Sequence, residues 1–135
     1  MTGEATAAAV RGYLAALNRH DADAIAACVS EDFFNEHTSR LGTSVRGRAA
    51  YRERLNGFLA GFVDLHYEIE DLIVDADRAA AAYRMTFVAT GDDGQPRPIE
   101  IRGVFRFEVR DGLIAHRVDY WDGVEYRRQV EADRA

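Results

Sequence analysis

Apolar residues in the first half of the chain recur at three- and four-residue steps, which is the spacing of an amphipathic helix. This pattern predicts a first helix over residues 5–17 and another over residues 49–62. Between them, Asp21 is suited to cap a second, short helix that ends at Val29. The apolar stripes consist of Val10, Leu14 and Leu17 in the first helix and of Tyr51, Leu55, Phe58, Leu59 and Phe62 in the third.

The second half of the chain alternates between apolar and polar residues, which is the period of a β-strand. Strands are predicted over residues 33–37, 64–74, 79–90, 99–110 and 113–120. The Asp-Ala-Asp segment at 75–77 and the Arg-Asp-Gly segment at 110–112 are turn-prone, and Asp122 is suited to cap a last helix over 123–131. Helices followed by an antiparallel meander predict one α+β domain over residues 1–135.

Strand alternation also places charged side chains on faces that a core would cover. Arg117, Asp119 and Trp121 share one face of the last strand, and Arg84 shares a strand face with Thr86. A charged side chain at such a position is costly unless it is paired or solvated. Two interpretations stay open: a structural ion pair that closes one end of the sheet, or the lining of a solvated cavity.

In the cavity interpretation, Asp119 acts as a general base or acid. An apolar wall would raise its pKa and a neighbouring arginine would lower it, so the direction of the shift stays open. His37 is a candidate for proton exchange or hydrogen bonding near neutral pH, with a surface or packing role as the alternative. Tyr13 and Tyr51 are candidate hydrogen-bond donors to an oxyanion, with core packing as the alternative.

The second long strand has one face that is more apolar than the other. The predicted helices suffice to cover only one face of the sheet, so an apolar residue set on the other face favours a homodimer. The predicted interface consists of Tyr83, Met85, Phe87, Val118 and Tyr120.

Composition and charge narrow the possible partners. The 135 residues include 17 basic and 23 acidic ones, a formal net charge of -6, which argues against a nucleic-acid partner. We interpret the densest basic stretch as a solvated helix face. It consists of Arg40, Arg46, Arg48, Arg52 and Arg54.

The single cysteine, Cys28, provides no intramolecular disulfide and favours a cytoplasmic location. We expect neither export nor membrane insertion, because no long apolar run or signal-like segment is present. The spacing of histidines, carboxylates and glycines indicates neither a metal ion nor a nucleotide cofactor.

Several segments resemble the nuclear-transport-factor-2-like superfamily, and most of all its SnoaL-like and limonene-epoxide-hydrolase-like branches. They are Asp-Ala-Asp-Ala-Ile-Ala-Ala-Cys-Val-Ser-Glu-Asp-Phe at 21–33, the strand pair over 103–114, and the closing Val-Asp-Tyr-Trp-Asp-Gly-Val-Glu-Tyr-Arg-Arg-Gln at 118–129. The resemblance implies a cone-shaped domain in which three N-terminal helices wrap a strongly curved, mostly antiparallel sheet around an apolar pocket.

The resemblance also implies cofactor-independent acid–base chemistry on a small hydrophobic carbonyl or polyketide-like molecule. Asp119 would be the base or acid, Arg84 would tune it or bind an enolate oxygen, and His37 would donate. Residues expected to contact the molecule are Tyr13, Tyr51, Phe58, Thr86, Phe105, Arg117 and Trp121.

Two alternatives remain. One is an epoxide hydrolase or an epoxide-opening cyclase, for which the resemblance places the second aspartate position on Thr86. The other is a non-catalytic protein that binds a small ligand or serves as a dimeric scaffold.

Overall fold

The computed structural model describes residues 2–131, which form four helices and a six-stranded sheet. The helices are α1 (Gly3–Asn18), α2 (Ala22–Ala27), α3 (Arg48–Gly61) and α4 (Gly123–Glu131), and none of them is long and apolar enough to span a membrane. The strands are β1 (Val29–His37), β2 (Val45–Arg46), β3 (Val63–Asp75), β4 (Arg78–Thr90), β5 (Pro96–Arg110) and β6 (Leu113–Tyr120).

The strands lie in the order β2-β1-β6-β5-β4-β3 and form a curved sheet that does not close into a barrel. Only the β1–β6 pair is parallel among the strand pairs of residues 2–131. Asp111 and Gly112, with φ of 53° and 77°, form the tight turn that joins β5 to β6. The α+β class with a mostly antiparallel, curved sheet is thus confirmed.

Alternation along β5 separates the two faces of the sheet. The inner face, which α1 and α3 cover, carries the buried β5 residues Ile99, Ile101, Phe105, Phe107 and Val109. The outer face carries the exposed residues Glu100, Arg102, Arg106 and Glu108. Burying each large apolar side chain stabilises the fold by roughly 1.5–3 kcal/mol, so the inner face holds most of the core energy.

Two side-chain amides fasten helices to strand backbones. The Asn18 amide donates to the Tyr67 carbonyl (2.9 Å) and accepts from its N–H (2.7 Å). The Gln129 amide makes the same pair of bonds with Glu100, at 2.6 and 2.8 Å. Each amide makes the pair of backbone hydrogen bonds that a neighbouring strand would otherwise make. The Gln129 amide thereby holds α4 beside the first half of β5.

The observed elements differ most from the predicted ones between α2 and α3. The second helix ends at Ala27, and β1 already begins at Val29, because Val29 pairs with Ile114 on β6. The two-residue strand β2 lies between the predicted strand over 33–37 and the predicted third helix, where no strand was predicted. It pairs with β1 through Asn35 and Val45, and two residues are too few to show a period in the sequence.

The predicted subunit interface needs correction. Tyr83, Met85 and Phe87 lie on the inner face of β4, where they line a cavity beneath α3 and α4. Placing them on an interface was wrong, because the helices cover this more apolar side of the strand. Val118 and Tyr120 do lie on the outer face, but Val118 is already buried within the single chain, so only Tyr120 of this pair is exposed to a second subunit. A homodimer through that face stays a prediction.

Candidate functional site

A cavity of about 480 Å³ lies between the inner face of the sheet, α3 and α4. This volume is within the range of small-molecule sites. Much of its wall is apolar, with Phe58, Phe62, Met85, Phe87, Ile101 and Trp121 among the lining residues. The lining residues that are also solvent-exposed, Leu41, Thr43, Arg54 and Gly57, form its mouth.

The Asp119 carboxyl lies on the cavity wall at the end of β6, and the residue is only 7% exposed. The Tyr83 hydroxyl donates a hydrogen bond of 2.6 Å to Asp119 Oδ1. Asp119 Oδ2 lies 3.7 Å from His37 Nδ1, and within residues 2–131 it makes no hydrogen bond. One carboxylate oxygen is therefore held in place while the other remains able to take up a proton.

Strand register brings these side chains together. Asp119 pairs with His37 on β1 and with Phe105 on β5, so the three residues form one row across the sheet. Tyr83 on β4 pairs with Gly103, and a Cβ atom on Gly103 would lie 2.4 Å from the Tyr83 hydroxyl. Because Gly103 has no side chain, Tyr83 can reach across β5 to Asp119.

The pKa of Asp119 is raised above its usual value of 3.8, because burial outweighs both the Arg117 charge and the Tyr83 hydrogen bond, which lower it. Burial and the nearby Asp119 charge raise the pKa of the Tyr83 phenol, so Tyr83 remains a protonated donor. Desolvation thus sets the direction of the Asp119 pKa shift, which the sequence alone left open. A carboxylate with a raised pKa is a stronger base than an ordinary aspartate.

The Arg117 guanidinium is buried beside this carboxyl and is held by neutral groups. Its Nη1 donates to the Tyr13 hydroxyl (2.9 Å), which in turn bonds to the Tyr51 hydroxyl (2.5 Å). Its Cζ lies 4.7 Å from the centre of the Phe105 ring. No carboxylate of residues 2–131 is in ion-pair contact with Arg117, so its charge remains available to an anion that forms in the cavity.

His37 is neutral at physiological pH. The Trp121 indole donates to His37 Nδ1 (3.3 Å), which requires a free lone pair on that nitrogen and places the ring proton on Nε2. Burial, together with the Arg117 and Arg54 charges, lowers the pKa of His37 to about 4. His37 therefore fits a role as a hydrogen-bonding group, and it would not act as an imidazolium acid near neutral pH.

The lowered pKa of His37 predicts a pH-dependent loss of stability. The unfolded chain binds a proton at His37 below about pH 6.5 and the folded chain does so only near pH 4, so the free energy of unfolding falls as the pH drops through this window. This residue alone should account for about 3 kcal/mol of that loss. Urea unfolding at pH 6.5 and 4.5 should show a smaller loss for His37→Gln than for the wild type. Exposed His66→Gln is the control and should behave like the wild type.

Six of the predicted residues meet at the cavity wall: His37, Tyr51, Phe58, Arg117, Asp119 and Trp121. Tyr13 and Phe105 are fully buried behind this wall, where they contact Arg117. They support the site and do not line it. Among residues 2–131, no group of three or more His, Cys, Asp and Glu side chains is arranged to hold a metal ion.

The site predictions for Arg84 and Thr86 were wrong. Arg84 lies on the outer face, where its guanidinium binds Glu68 Oε2 (2.6 Å) and Glu100 Oε1 (3.2 Å). Thr86 shares that outer face of β4. Residues at odd and even positions of a strand point in opposite directions, so once Tyr83 faces Asp119, Arg84 cannot do so.

Tyr83 lines the candidate site, although sequence reasoning placed it on an interface, and Gly103 opposite it leaves the space that its hydroxyl occupies. Gly103→Ala should destabilise the fold by roughly 1–3 kcal/mol, because the added methyl group meets the Tyr83 hydroxyl and, at 2.7 Å, the Tyr120 carbonyl. Urea unfolding measures this effect. Gly12→Ala on α1 has open space around it and should not destabilise; equal stability of the two variants would contradict the packing described.

Comparison with known proteins supplies the family. The SnoaL-like domain matches residues 10–117, which is most of the chain. Curated proteins give no match.

Solved structures give many matches. A candidate ketosteroid isomerase from Kribbella flavida is 28% identical; the alignment covers 89% of this chain and 79% of that one, with a TM-score of 0.72. A candidate polyketide cyclase from Xanthomonas campestris is also 28% identical, with 96% and 98% covered and a TM-score of 0.78. An LEH-like epoxide hydrolase of M. tuberculosis is 21% identical; the alignment covers 95% of this chain and 90% of that one, with a TM-score of 0.80. At this identity, the likeness shows the fold alone. With its matched domain and its fold in agreement, the chain belongs to the SnoaL-like family of the nuclear-transport-factor-2-like superfamily.

Proposed function

We propose that this protein is a cofactor-independent acid–base enzyme of the cyclase or isomerase type that acts on a small, largely apolar carbonyl compound. One observation carries the proposal: Asp119 presents an oxygen without a hydrogen bond to an apolar cavity, while Tyr83 fixes the other oxygen. A positioned carboxylate in such surroundings is suited to remove a proton from carbon.

In the proposed step, Asp119 Oδ2 takes a proton from the carbon next to a carbonyl group. The electrons of the broken C–H bond form the C=C bond of an enolate, and the carbonyl π electrons move to oxygen. In an isomerase, the same carboxyl returns the proton to another carbon of the conjugated system. In a cyclase, the enolate carbon attacks a second carbonyl of the same molecule, and the new alkoxide takes the proton. Neither route needs an oxidant, a reductant or a second substrate.

Arg117 and Tyr51 would stabilise the negative charge that develops on the enolate oxygen. Both line the cavity, and the Arg117 guanidinium is already oriented by Tyr13 and Phe105. Fixed donors in a site with little water stabilise such a charge more strongly than water does, because they do not need to reorient. The arrangement therefore combines a base with an oxyanion-stabilising cation on one wall.

Carboxylate placement favours this chemistry over epoxide hydrolysis. Among the described residues that line the cavity, Asp119 is the only aspartate or glutamate. The position expected to hold a second aspartate is Thr86, which lies on the outer face of β4. Activation of water by two carboxylates is therefore not supported, whereas the likeness to a candidate ketosteroid isomerase and a candidate polyketide cyclase supports proton transfer at carbon.

Deuterium exchange tests the proposal without knowledge of the natural substrate. A panel of cyclic and aromatic 1,3-diketones is incubated with the protein in D₂O, and loss of the proton between the carbonyl groups is followed by proton NMR. We expect at least one ring-containing diketone to exchange faster than in buffer alone. Saturable binding of these compounds with no exchange above buffer would contradict the proposal and favour a non-catalytic binding protein.

A further inference from the structure

Arg54 occupies a position that the other arginines of the basic stretch do not. It lies on the stripe of α3 that lines the cavity, together with Tyr51, Leu55 and Phe58. These positions are separated by three and four residues, so they share one helix face. Arg54 is also exposed, which places it at the mouth of the cavity.

The partners of these arginines differ. Arg52 binds Asp23 (2.9 Å), Arg48 donates twice to the Val29 carbonyl, and Arg46 lies over the Phe34 ring. Interpreting the whole stretch as a solvated helix face is therefore wrong for Arg54, which faces the cavity.

The contacts of Arg54 leave donors available for a ligand. Its Nη1 donates to the Thr43 carbonyl (3.1 Å), and no carboxylate of residues 2–131 is in ion-pair contact with it. A guanidinium has five N–H donors in a planar fork, so one bond to a carbonyl orients the group and leaves the others free.

The ionisable groups of the cavity are biased towards positive charge. Arg54 and Arg117 face a single carboxyl, Asp119, within a protein whose formal net charge is -6. The Arg54 charge reaches into the cavity, since it helps to lower the pKa of His37. A local cationic site in an acidic protein attracts anions to this mouth more than to the rest of the surface.

We infer that the ligand of this cavity is a ring-containing acid whose apolar body fills the cavity and whose carboxylate or phenolate binds Arg54 at the mouth. This inference rests on the proposed function, because it assigns the substrate class of the same site. Charge-assisted bonds from a guanidinium to an oxyanion are among the stronger protein hydrogen bonds, so Arg54 would select acids over neutral molecules of the same shape. Arg54 is thereby a specificity-determining residue that leaves the proton transfer to Asp119.

A pair of dyes with similar ring systems and different charge tests the inference. They are 8-anilinonaphthalene-1-sulfonate, an anion, and N-phenyl-1-naphthylamine, which is neutral. The single tryptophan, Trp121, lies in the cavity wall, so quenching of its fluorescence reports binding there. We expect Arg54→Gln to weaken binding of the anionic dye roughly tenfold and to leave the neutral dye unaffected. Arg52→Gln, on the same helix but facing α2, should change neither affinity.

Equal weakening of both dyes by Arg54→Gln, or no weakening of the anionic dye, would overturn the inference. The measurement needs no turnover, so it separates the two proposals. If the charge preference is absent while diketone exchange persists, the inference on Arg54 is wrong and the acid–base function stands. If the preference is present while exchange is absent, the proposed function is wrong and the cavity is a binding site for acids.

Discussion

Replacing Asp119 by asparagine is expected to lower the rate of carbon-bound proton exchange by about 10²- to 10⁴-fold, which is the usual contribution of a positioned general base. Asparagine has the same shape, and its carbonyl can still accept the hydrogen bond from Tyr83, but it cannot take up a proton from carbon. Because burial disfavours the ionised form of Asp119, the variant should unfold at no lower urea concentration than the wild type. Proton NMR in D₂O measures the rate, and urea unfolding measures the stability.

A matched carboxylate controls for net charge. Asp71 is exposed on β3 and does not line the cavity, so Asp71→Asn changes the charge of the protein equally and should keep the wild-type exchange rate. An Asp119→Asn variant that folds and exchanges at the wild-type rate would remove Asp119 from the mechanism. A loss of rate in both variants would indicate an effect of overall charge.

The largest effect on stability is expected from Phe105→Ala, at roughly 3–5 kcal/mol. Phe105 is fully buried, its ring stacks on Tyr83 with centroids 4.4 Å apart, and the Arg117 guanidinium lies over it. Removing the ring leaves a void beneath the polar groups of the site. Urea unfolding checks the value, with Val104→Ala on the outer face as the control, because Val104 is 37% exposed and its truncation should cost much less.

The conservative variant Phe105→Leu distinguishes support from contact. It should fold and bind the neutral dye with wild-type affinity, because Phe105 lies behind the wall and not on it. A selective loss of dye binding with unchanged stability would show that Phe105 touches the ligand, as the sequence had suggested.

Local patterns in the sequence were enough to predict most of the helices and strands. The carboxylate of Asp122 accepts from the N–H groups of Val124 and Glu125 at 2.9 and 3.2 Å, and the last helix begins at Gly123 as predicted. The β5 face with Phe105 is buried because its apolar residues recur at every second position from Ile99 to Val109, interrupted only by Gly103. Such features depend on near neighbours in the chain, which a single sequence displays.

The faces of β4 could not be assigned in the same way. The side that carries Tyr83 is the more apolar one, and the other side carries Arg84 and Thr86 among apolar residues. Whether the more apolar side lines a cavity or forms an interface depends on where α3 and α4 lie. That position is a property of the whole fold. This error placed Arg84 in the predicted site. It also placed Tyr83, which donates the hydrogen bond to Asp119, on a predicted interface.

The chemistry of the site was even harder to predict from the sequence than the faces of β4. Tyr83 reaches Asp119 only because Gly103 lies between them in the strand register, and residues 83, 103 and 119 share no local pattern. The direction of the Asp119 pKa shift depends on the balance between burial and the Arg117 charge, which requires atomic positions.

The most direct test of this account is a carbon-13 NMR titration of the Asp119 side-chain carboxyl in the ligand-free protein, with the signal assigned by its absence from Asp119→Asn. We expect a pKa above the usual value of 3.8, because burial in the cavity wall outweighs Arg117 and Tyr83. A pKa at or below that value would show that these partners dominate, and it would make Asp119 a structural carboxylate and not the base of this site.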